Sequence, residues 1–158
     1  MSIVINLHKK YIKGTEKKAI VQVIQALLCQ LTHTVMKDLK FPCNKVYVNT
    51  RSLKHTYDKR SAEEYDFLVV NLGIIVKFPD AIYKNKDGKR GSHCFVKKIK
   101  NKIYLCSLEI IKEKDSTYCE VATFFRTDEN YLKNCELLWE WNGGNIHRNA
   151  FDSGNKPA

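Results

Sequence analysis

The chain has 158 residues, of which 27 are lysine or arginine and 17 are aspartate or glutamate, so its formal net charge is +10. This length is typical of one domain that buries roughly two thirds of its unfolded surface, so stability requires neither a disulfide nor a metal. The positive charge favours polyanionic partners, nucleic acid above all, although many small basic proteins bind none.

The cysteine pattern and the hydropathy exclude several classes of protein. The six cysteines are spread singly with no C-x-x-C pair, which argues against a zinc site and favours a reduced compartment. No apolar run reaches the roughly 18 to 20 residues of a spanning helix, and the N-terminus lacks a signal-peptide pattern. There is no glycine-rich dinucleotide or Walker motif. We therefore expect a soluble, cytoplasmic protein without metal, cofactor or membrane contact.

The first forty residues contain one strong pattern. The β-branched run Ile3 to Leu7 is brief and predicts a short strand or an extended lead-in. From Thr15 to Lys40 apolar residues recur at helical spacing behind a threonine N-cap, which predicts a long amphipathic helix. We expect this helix to end before Phe41-Pro42, because the residue before a proline is steered out of the helical region.

A strand and a helix are predicted next, separated by a basic segment. Val46 to Asn49 predicts a short strand. Ser61 to Val76 begins with a serine and two acidic residues and then turns apolar, which predicts a buried helix that ends before Pro79. A central strand is the alternative for its β-branched run. Lys84 to Ser92 predicts an exposed basic loop.

The last part of the chain predicts an antiparallel meander. Its three β-rich runs are His93 to Ile99, Lys102 to Ile110 and Thr117 to Phe125. A short helix is predicted near Glu129 to Trp139, and the polar residues 142–158 predict a flexible tail. The sequence thus predicts a single α+β domain at residues 1–141, in which N-terminal helices pack on a C-terminal antiparallel sheet.

The basic segment before the buried helix contains a single histidine. His55 lies among the cations Arg51, Lys54, Lys59 and Arg60. An imidazole can accept and return a proton at neutral pH, and cations can hold a phosphate, so these groups suffice for metal-free RNA cleavage. If a helix begins near Ser52, His55 and Lys59 share one face. The alternative is that a lone histidine in a basic loop is an ordinary surface residue.

The meander contributes further candidates. Lys97 and Lys98 alternate across its first strand and are phosphate-binding candidates, although an exposed strand lysine is the ordinary alternative. Thr123 offers a hydroxyl to a phosphate or a ribose, but threonine is also simply a good strand former. Alternation predicts that it shares a face with Cys119, Val121 and Phe125. Aromatic residues of the last strand could stack on bases or belong to the core; they are Tyr118, Phe124 and Phe125.

The element order and three short motifs resemble the phage-borne branch of the metal-independent RNase superfamily that unites barnase, EndoU nucleases, tRNA-cutting colicins and RelE toxins. The motifs are LKHTYDKR, FPDAIY and VATFFRTDENYLK, and the resemblance spans about residues 45–138. It implies an active site on the open face of the sheet. The resemblance implies His55 as acid or base, Lys59 or Arg60 as a phosphate holder, and Thr123 as a polar contact from the last strand. Together with the basic segment and the first strand of the meander, it gives His55, Lys59 and Thr123 as catalytic candidates. The phosphate-binding candidates are Arg51, Lys54, Arg60, Lys97 and Lys98. EndoU nucleases use two histidines, and no second histidine is clearly placed opposite His55 in this sequence. His93 is the only nearby candidate, and without it a lysine or a tyrosine would have to act as the second proton carrier.

The resulting hypothesis is a metal-independent endoribonuclease that acts on tRNA or another structured RNA and leaves a 2′,3′-cyclic phosphate. Such a protein would serve as a toxin or a phage effector, and a toxin would have a cognate inhibitor. Two alternatives stay open. One is a non-catalytic nucleic-acid-binding module that holds phosphates with its basic segments, and the other is a structural or interaction protein of a phage particle.

Overall fold

A seven-stranded sheet forms the centre of the fold in the computed structural model, which describes residues 2–86 and 91–141. The strands are β1 (Gln25–Gln30), β2 (Lys45–Asn49), β3 (Ala81–Lys84), β4 (His93–Ile99), β5 (Lys102–Glu113), β6 (Ser116–Thr127) and β7 (Leu137–Glu140). Their order is β1-β2-β6-β5-β4-β3-β7, with β2 parallel to β6 and the other neighbours antiparallel. The predicted α+β architecture is confirmed.

Five α-helices in the described ranges accompany the sheet. They are α1 (Ile3–Leu7), α2 (His33–Leu39), α3 (Thr50–Lys59), α4 (Ala62–Lys77) and α5 (Glu129–Lys133), and a π-helical turn, His8–Ile12, continues α1. None of these helices combines the length and the apolar character that a bilayer crossing requires. The predicted tail at residues 142–158, and residues 87–90 of the predicted basic loop, lie outside the described ranges.

The two helices that follow β2 begin at polar caps that are visible in the sequence. Asn49 caps α3, its side-chain oxygen accepting a hydrogen bond from Ser52 N at 2.9 Å. Ser61 caps α4 in the same way through Glu64 N at 3.2 Å. The buried residues of α4 are Tyr65, Leu68, Val69, Leu72, Ile75 and Val76. The predicted buried helix is therefore confirmed, and the basic segment before it forms a separate helix, α3, which begins close to Ser52.

The predicted helix from Thr15 to Lys40 is wrong. The structure instead has an irregular segment with a turn at Lys17 and Lys18, the edge strand β1 and the short helix α2, whose N-cap is Thr32. The physical reason is tertiary, because β1 pairs with β2 along Gln25–Gln30 and this ladder outweighs the local helical pattern. Ile3–Leu7 is likewise a helix rather than a strand, because Ser2 caps it. The predicted helix near Glu129 ends at Lys133 and gives way to β7.

The two faces of the sheet have different roles. The core face packs on α1, α3 and α4 and carries residues such as Val46, Cys106 and Phe124. The opposite face, here called the outer face, carries a smaller cluster that includes Val96 and Leu105, together with Leu132 of α5. Because side chains alternate along a strand, each successive residue of β4, β5 or β6 lies in turn under the helices or on the outer face.

A β-bulge in β6 changes the face on which Thr123 lies. Ser107 of β5 is opposite Thr123 and Leu108 is opposite Val121, so Ala122 is an extra residue. As a result Cys119 and Val121 belong to the core face, whereas Thr123 is turned to the outer face with Phe125. The prediction that Thr123 shares a face with Cys119 and Val121 is therefore wrong, because strict alternation does not survive the inserted residue.

Candidate active site

One side of α3 carries a stripe of exposed polar residues. Arg51, His55 and Lys59 are exposed and follow one another at intervals of four residues. This spacing places them on a single helix face, about 6 Å apart along the axis. The predicted sharing of one face by His55 and Lys59 is confirmed. These three residues form the α3 stripe.

The α3 stripe borders the side of the helix that faces β6. Ser52 is buried and its hydroxyl donates a hydrogen bond to Val121 O at 2.9 Å, immediately before the bulge. Farther along the helix, the guanidinium carbon of Arg60 lies 5.1 Å from the centre of the Phe125 ring, a residue of the outer face. The helix therefore runs beside β6 from Val121 to Phe125, with Thr123 between these two contacts.

Thr123 forms a hydroxyl pair with Ser107 on the outer face. The two oxygens are 3.0 Å apart, and Thr123 N donates a hydrogen bond to the Ser107 hydroxyl at 3.2 Å. Ser107 is only 1% exposed, whereas Thr123 is half-buried. When Ser107 donates its proton to Thr123, the Thr123 proton is available for an oxygen of a bound substrate. The sequence did not point to Ser107. The only sign of it is a single hydroxyl residue among the apolar residues of β5.

Lys54, in contrast, lies inside the protein. It is 6% exposed, and its ammonium donates hydrogen bonds to Thr15 Oγ1 at 2.9 Å, Glu16 O at 2.6 Å and Asp58 Oδ1 at 2.7 Å. These three bonds use its three protons. Lys54 thereby ties the irregular segment before β1 to α3.

The two lysines of β4 are directed to opposite faces, as their alternation predicts. Lys97 lies on the side of the core face, donates a hydrogen bond to Phe78 O at 2.7 Å and forms an ion pair with Asp80 at 3.6 Å. Lys98 lies opposite Ile103, which belongs to the outer-face cluster. Of the two, Lys98 is the one on the same face as Thr123.

His93 lies across the sheet from the hydroxyl pair. It is opposite Leu108, a core-face residue, and its ring centre is 4.6 Å from that of Phe41. Burial lowers the pKa of His93 below its usual range. Because Ser107 and Thr123 are on the outer face, His93 and Thr123 are separated by the sheet itself.

Replacing Lys54 with methionine should lower the free energy of unfolding by about 1–3 kcal/mol, because Asp58 and Glu16 O lose a buried, charged donor. Burial opposes ionisation of Asp58, but hydrogen bonds from Lys54 and from the Lys18 N–H outweigh it and lower the pKa of Asp58. A carboxyl with a lowered pKa stabilises the fold at neutral pH and loses this contribution as the pH falls toward that pKa. Urea unfolding at pH 7 and at pH 3 measures both effects.

The matched control is Lys59→Ala, which removes an exposed cation from the same helix and should change stability by at most about 0.5 kcal/mol. Equal stability of the Lys54 and Lys59 variants at neutral pH would contradict the structural role of Lys54. A destabilisation by Lys54→Met that does not shrink on acidification would contradict the contribution of its ion pair with Asp58.

Comparison with known proteins agrees with the fold and the motifs. One family model matches residues 9–134, and its description is phage-Barnase-EndoU-ColicinE5/D-RelE like nuclease3. No curated protein and no solved structure matches the sequence significantly. The fold and this match define the class as the BECR-like nucleases, named after barnase, EndoU, colicins and RelE. Because the match covers most of the chain, the protein belongs to the phage-Barnase-EndoU-ColicinE5/D-RelE like nuclease3 family, which confirms the resemblance found in the sequence.

Proposed function

We propose that the protein is a metal-independent endoribonuclease that cleaves tRNA or another structured RNA. One observation carries the proposal: α3 holds a histidine between two cations and runs beside β6, whose Thr123 pairs with the Ser107 hydroxyl of β5. A histidine, cations and a hydroxyl donor are the groups needed to move a proton and to stabilise a phosphate without a metal. Membership of a nuclease family supports the same reading.

In the proposed reaction the RNA supplies its own nucleophile. His55 accepts the proton of a ribose 2′-hydroxyl, and the 2′-oxygen forms a bond to the adjacent phosphorus. The bond between phosphorus and the 5′-oxygen breaks, and the leaving oxygen takes a proton from the ammonium of Lys59. The products are a 2′,3′-cyclic phosphate and a 5′-hydroxyl. Lys59 has the right spacing for this role, because it lies one helical turn from His55.

The remaining groups act on the phosphates. The Thr123 hydroxyl donates a hydrogen bond to an oxygen of the reacting phosphate, whose negative charge grows in the transition state. Arg51, Arg60 and Lys98 hold this phosphate or its neighbours. Lys54 and Lys97 are left out of these contacts in the proposal, because their ammonium groups bind oxygens of the protein itself.

The proposed role in the cell follows from the chemistry. An enzyme that cuts tRNA or structured RNA is harmful wherever such RNA is exposed to it, so the protein would act as a toxin or a phage effector in the cytoplasm. The cell that makes it would then need an inhibitor. A chain with a formal charge of +10 favours an acidic inhibitor, because opposite charges speed association and RNA must be displaced.

The test is a cleavage assay of the purified protein on total tRNA and on a defined structured RNA in the presence of EDTA. We expect cuts that leave 2′,3′-cyclic phosphate and 5′-hydroxyl ends, which are identified by their reactivity toward phosphatase and polynucleotide kinase. A DNA of the same sequence is the control, since it lacks the 2′-hydroxyl and should stay intact.

Two outcomes would contradict the proposal. Cleavage of the DNA control at a similar rate would show that the 2′-hydroxyl is not the nucleophile. Binding of RNA without any cut in total tRNA or in the defined RNA would favour the nucleic-acid-binding module instead.

A further inference from the structure

A pair of tyrosines lies on the outer face at the other end of β6 from Phe125. Tyr47 is on β2 and Tyr118 is on β6, their ring centres are 5.3 Å apart, and the rings are nearly perpendicular. Both side chains are half-buried, and neither belongs to a buried cluster of the described residues. Part of each ring is therefore open to solvent, and the two rings together offer an aromatic surface on this face.

The position of the tyrosines follows from strand alternation. Val46 and Val48, the neighbours of Tyr47, are buried on the core face, as is Cys119, the neighbour of Tyr118. Both rings must therefore be on the outer face, the face of Ser107 and Thr123. The half-buried Ile111 lies opposite Tyr118 on β5 and extends the apolar surface.

We propose that Tyr47 and Tyr118 form a platform on which an unpaired base of the RNA substrate stacks, one or more nucleotides away from the cleaved bond. This inference rests on the proposed function, because it places a second part of the same RNA strand. Aromatic rings stack with any base, so the platform would bind single-stranded or splayed-out nucleotides rather than duplex.

The chain connects the platform to the α3 stripe. Strand β2, which bears Tyr47, passes through the cap residue Asn49 directly into α3, so Arg51 is only four residues beyond Tyr47. An RNA strand whose phosphates follow Arg51, His55 and Lys59 along the helix has its bases free to turn onto the outer face. The first such base, next to the Arg51 phosphate, lies at the tyrosine end of the sheet.

Carboxylates on the outer face determine which part of the RNA lies there, and one of them, Glu113, accepts a hydrogen bond from the Tyr118 hydroxyl at 3.3 Å. Glu109 and Glu120 are directly opposite each other on β5 and β6, and Glu120 is also opposite Tyr47. Gln25 Nε2 donates a hydrogen bond to Glu120 at 2.9 Å. Carboxylates repel phosphates but do not repel neutral bases. The RNA backbone is therefore kept on the α3 side, and the uncharged bases lie across the sheet.

The test is a binding measurement that needs no cleavage. The probe is a single-stranded 2′-O-methyl oligonucleotide of mixed sequence, which lacks the nucleophilic hydroxyl, and a second probe is the same oligonucleotide with abasic sites. We expect Tyr47→Leu with Tyr118→Leu to weaken binding of the first probe by about tenfold or more, because loss of one stacked base has this effect. Binding of the abasic probe should be the same for both proteins.

Two further variants make the comparison specific. The double variant Tyr47→Phe, Tyr118→Phe keeps both rings and should retain the affinity of the parent within about twofold. This result would also show that the fold tolerates substitutions at these two positions. Tyr11→Leu removes a partly buried tyrosine that packs on the core side and should bind like the parent.

The slope of log Kd against log[salt] should not change in the leucine variants, whereas Arg51→Gln should reduce it by about 0.7.

The outcomes separate this inference from the proposed function. Leucine variants that bind both probes like the parent would overturn the platform, and so would a parent protein that binds the abasic probe as tightly as the complete one. Neither outcome depends on whether the protein cuts RNA. Conversely, intact RNA in EDTA would overturn the endoribonuclease proposal, while a base-dependent loss of affinity in the leucine variants would still establish the platform.

Discussion

His55→Ala is expected to slow cleavage of RNA by about 10²–10⁴-fold, the range over which a positioned acid or base accelerates proton transfer. The side chain is exposed on α3, so its removal should leave the protein folded. Binding of the 2′-O-methyl oligonucleotide should stay within about twofold of the parent, because Arg51, Arg60 and Lys98 still hold the phosphates. Single-turnover cleavage of a labelled RNA in EDTA measures the rate.

The matched control is His33→Ala, which removes an exposed histidine from the start of α2. It should cut RNA at the rate of the parent. Cleavage by the His55 variant at the same rate as the His33 variant would remove His55 from the mechanism. A His55 variant that loses cleavage and binding together would indicate a role in holding RNA rather than in moving a proton.

Elements with strong local signals could be predicted from the sequence. Helix α4 has a serine cap, acids in its first turn and an apolar body, and each of these signals acts within a few residues. The three strands of the meander are continuous in sequence and joined by short turns, so their pairing is also local. The α3 stripe could be predicted for the same reason, because helical spacing alone places His55 and Lys59 on one face.

Features that depend on distant pairing could not be predicted. Strand β1 has apolar residues at positions that fit a helix as well as a half-buried strand, and its pairing with β2 decides between them. The bulge at Ala122 arises from the register in which β6 pairs with β5, and this bulge places Thr123 on the outer face. Ser107 and the tyrosine platform become visible only when neighbouring strands are placed side by side, which no single stretch of sequence specifies.

Gly91→Ala is the substitution for which we expect the largest loss of stability, about 2–4 kcal/mol. Gly91 has a φ of +92°, a conformation that costs an L-residue about 1–3 kcal/mol. An added Cβ would also lie 2.8 Å from Leu108 O and 3.1 Å from Ser107 Oγ. The backbone cannot move away cheaply, because the next residue, Ser92, donates its N–H to the same Leu108 O at 2.8 Å. Thermal or urea unfolding measures the loss.

Gly14→Ala separates strain from steric conflict. Gly14 has a φ of +78°, but an added Cβ there meets no atom within 4 Å. Its substitution should therefore lower the free energy of unfolding only by the cost of the backbone conformation, about 1–2 kcal/mol. The Gly91 variant should also cut RNA more slowly than the Gly14 variant, since the contact at Gly91 displaces the Ser107 hydroxyl, which positions Thr123. Equal stability of the two variants would show that β5 yields to the added methyl group. Unchanged cleavage despite a large loss of stability would show that catalysis does not need the Ser107–Thr123 pair in this position.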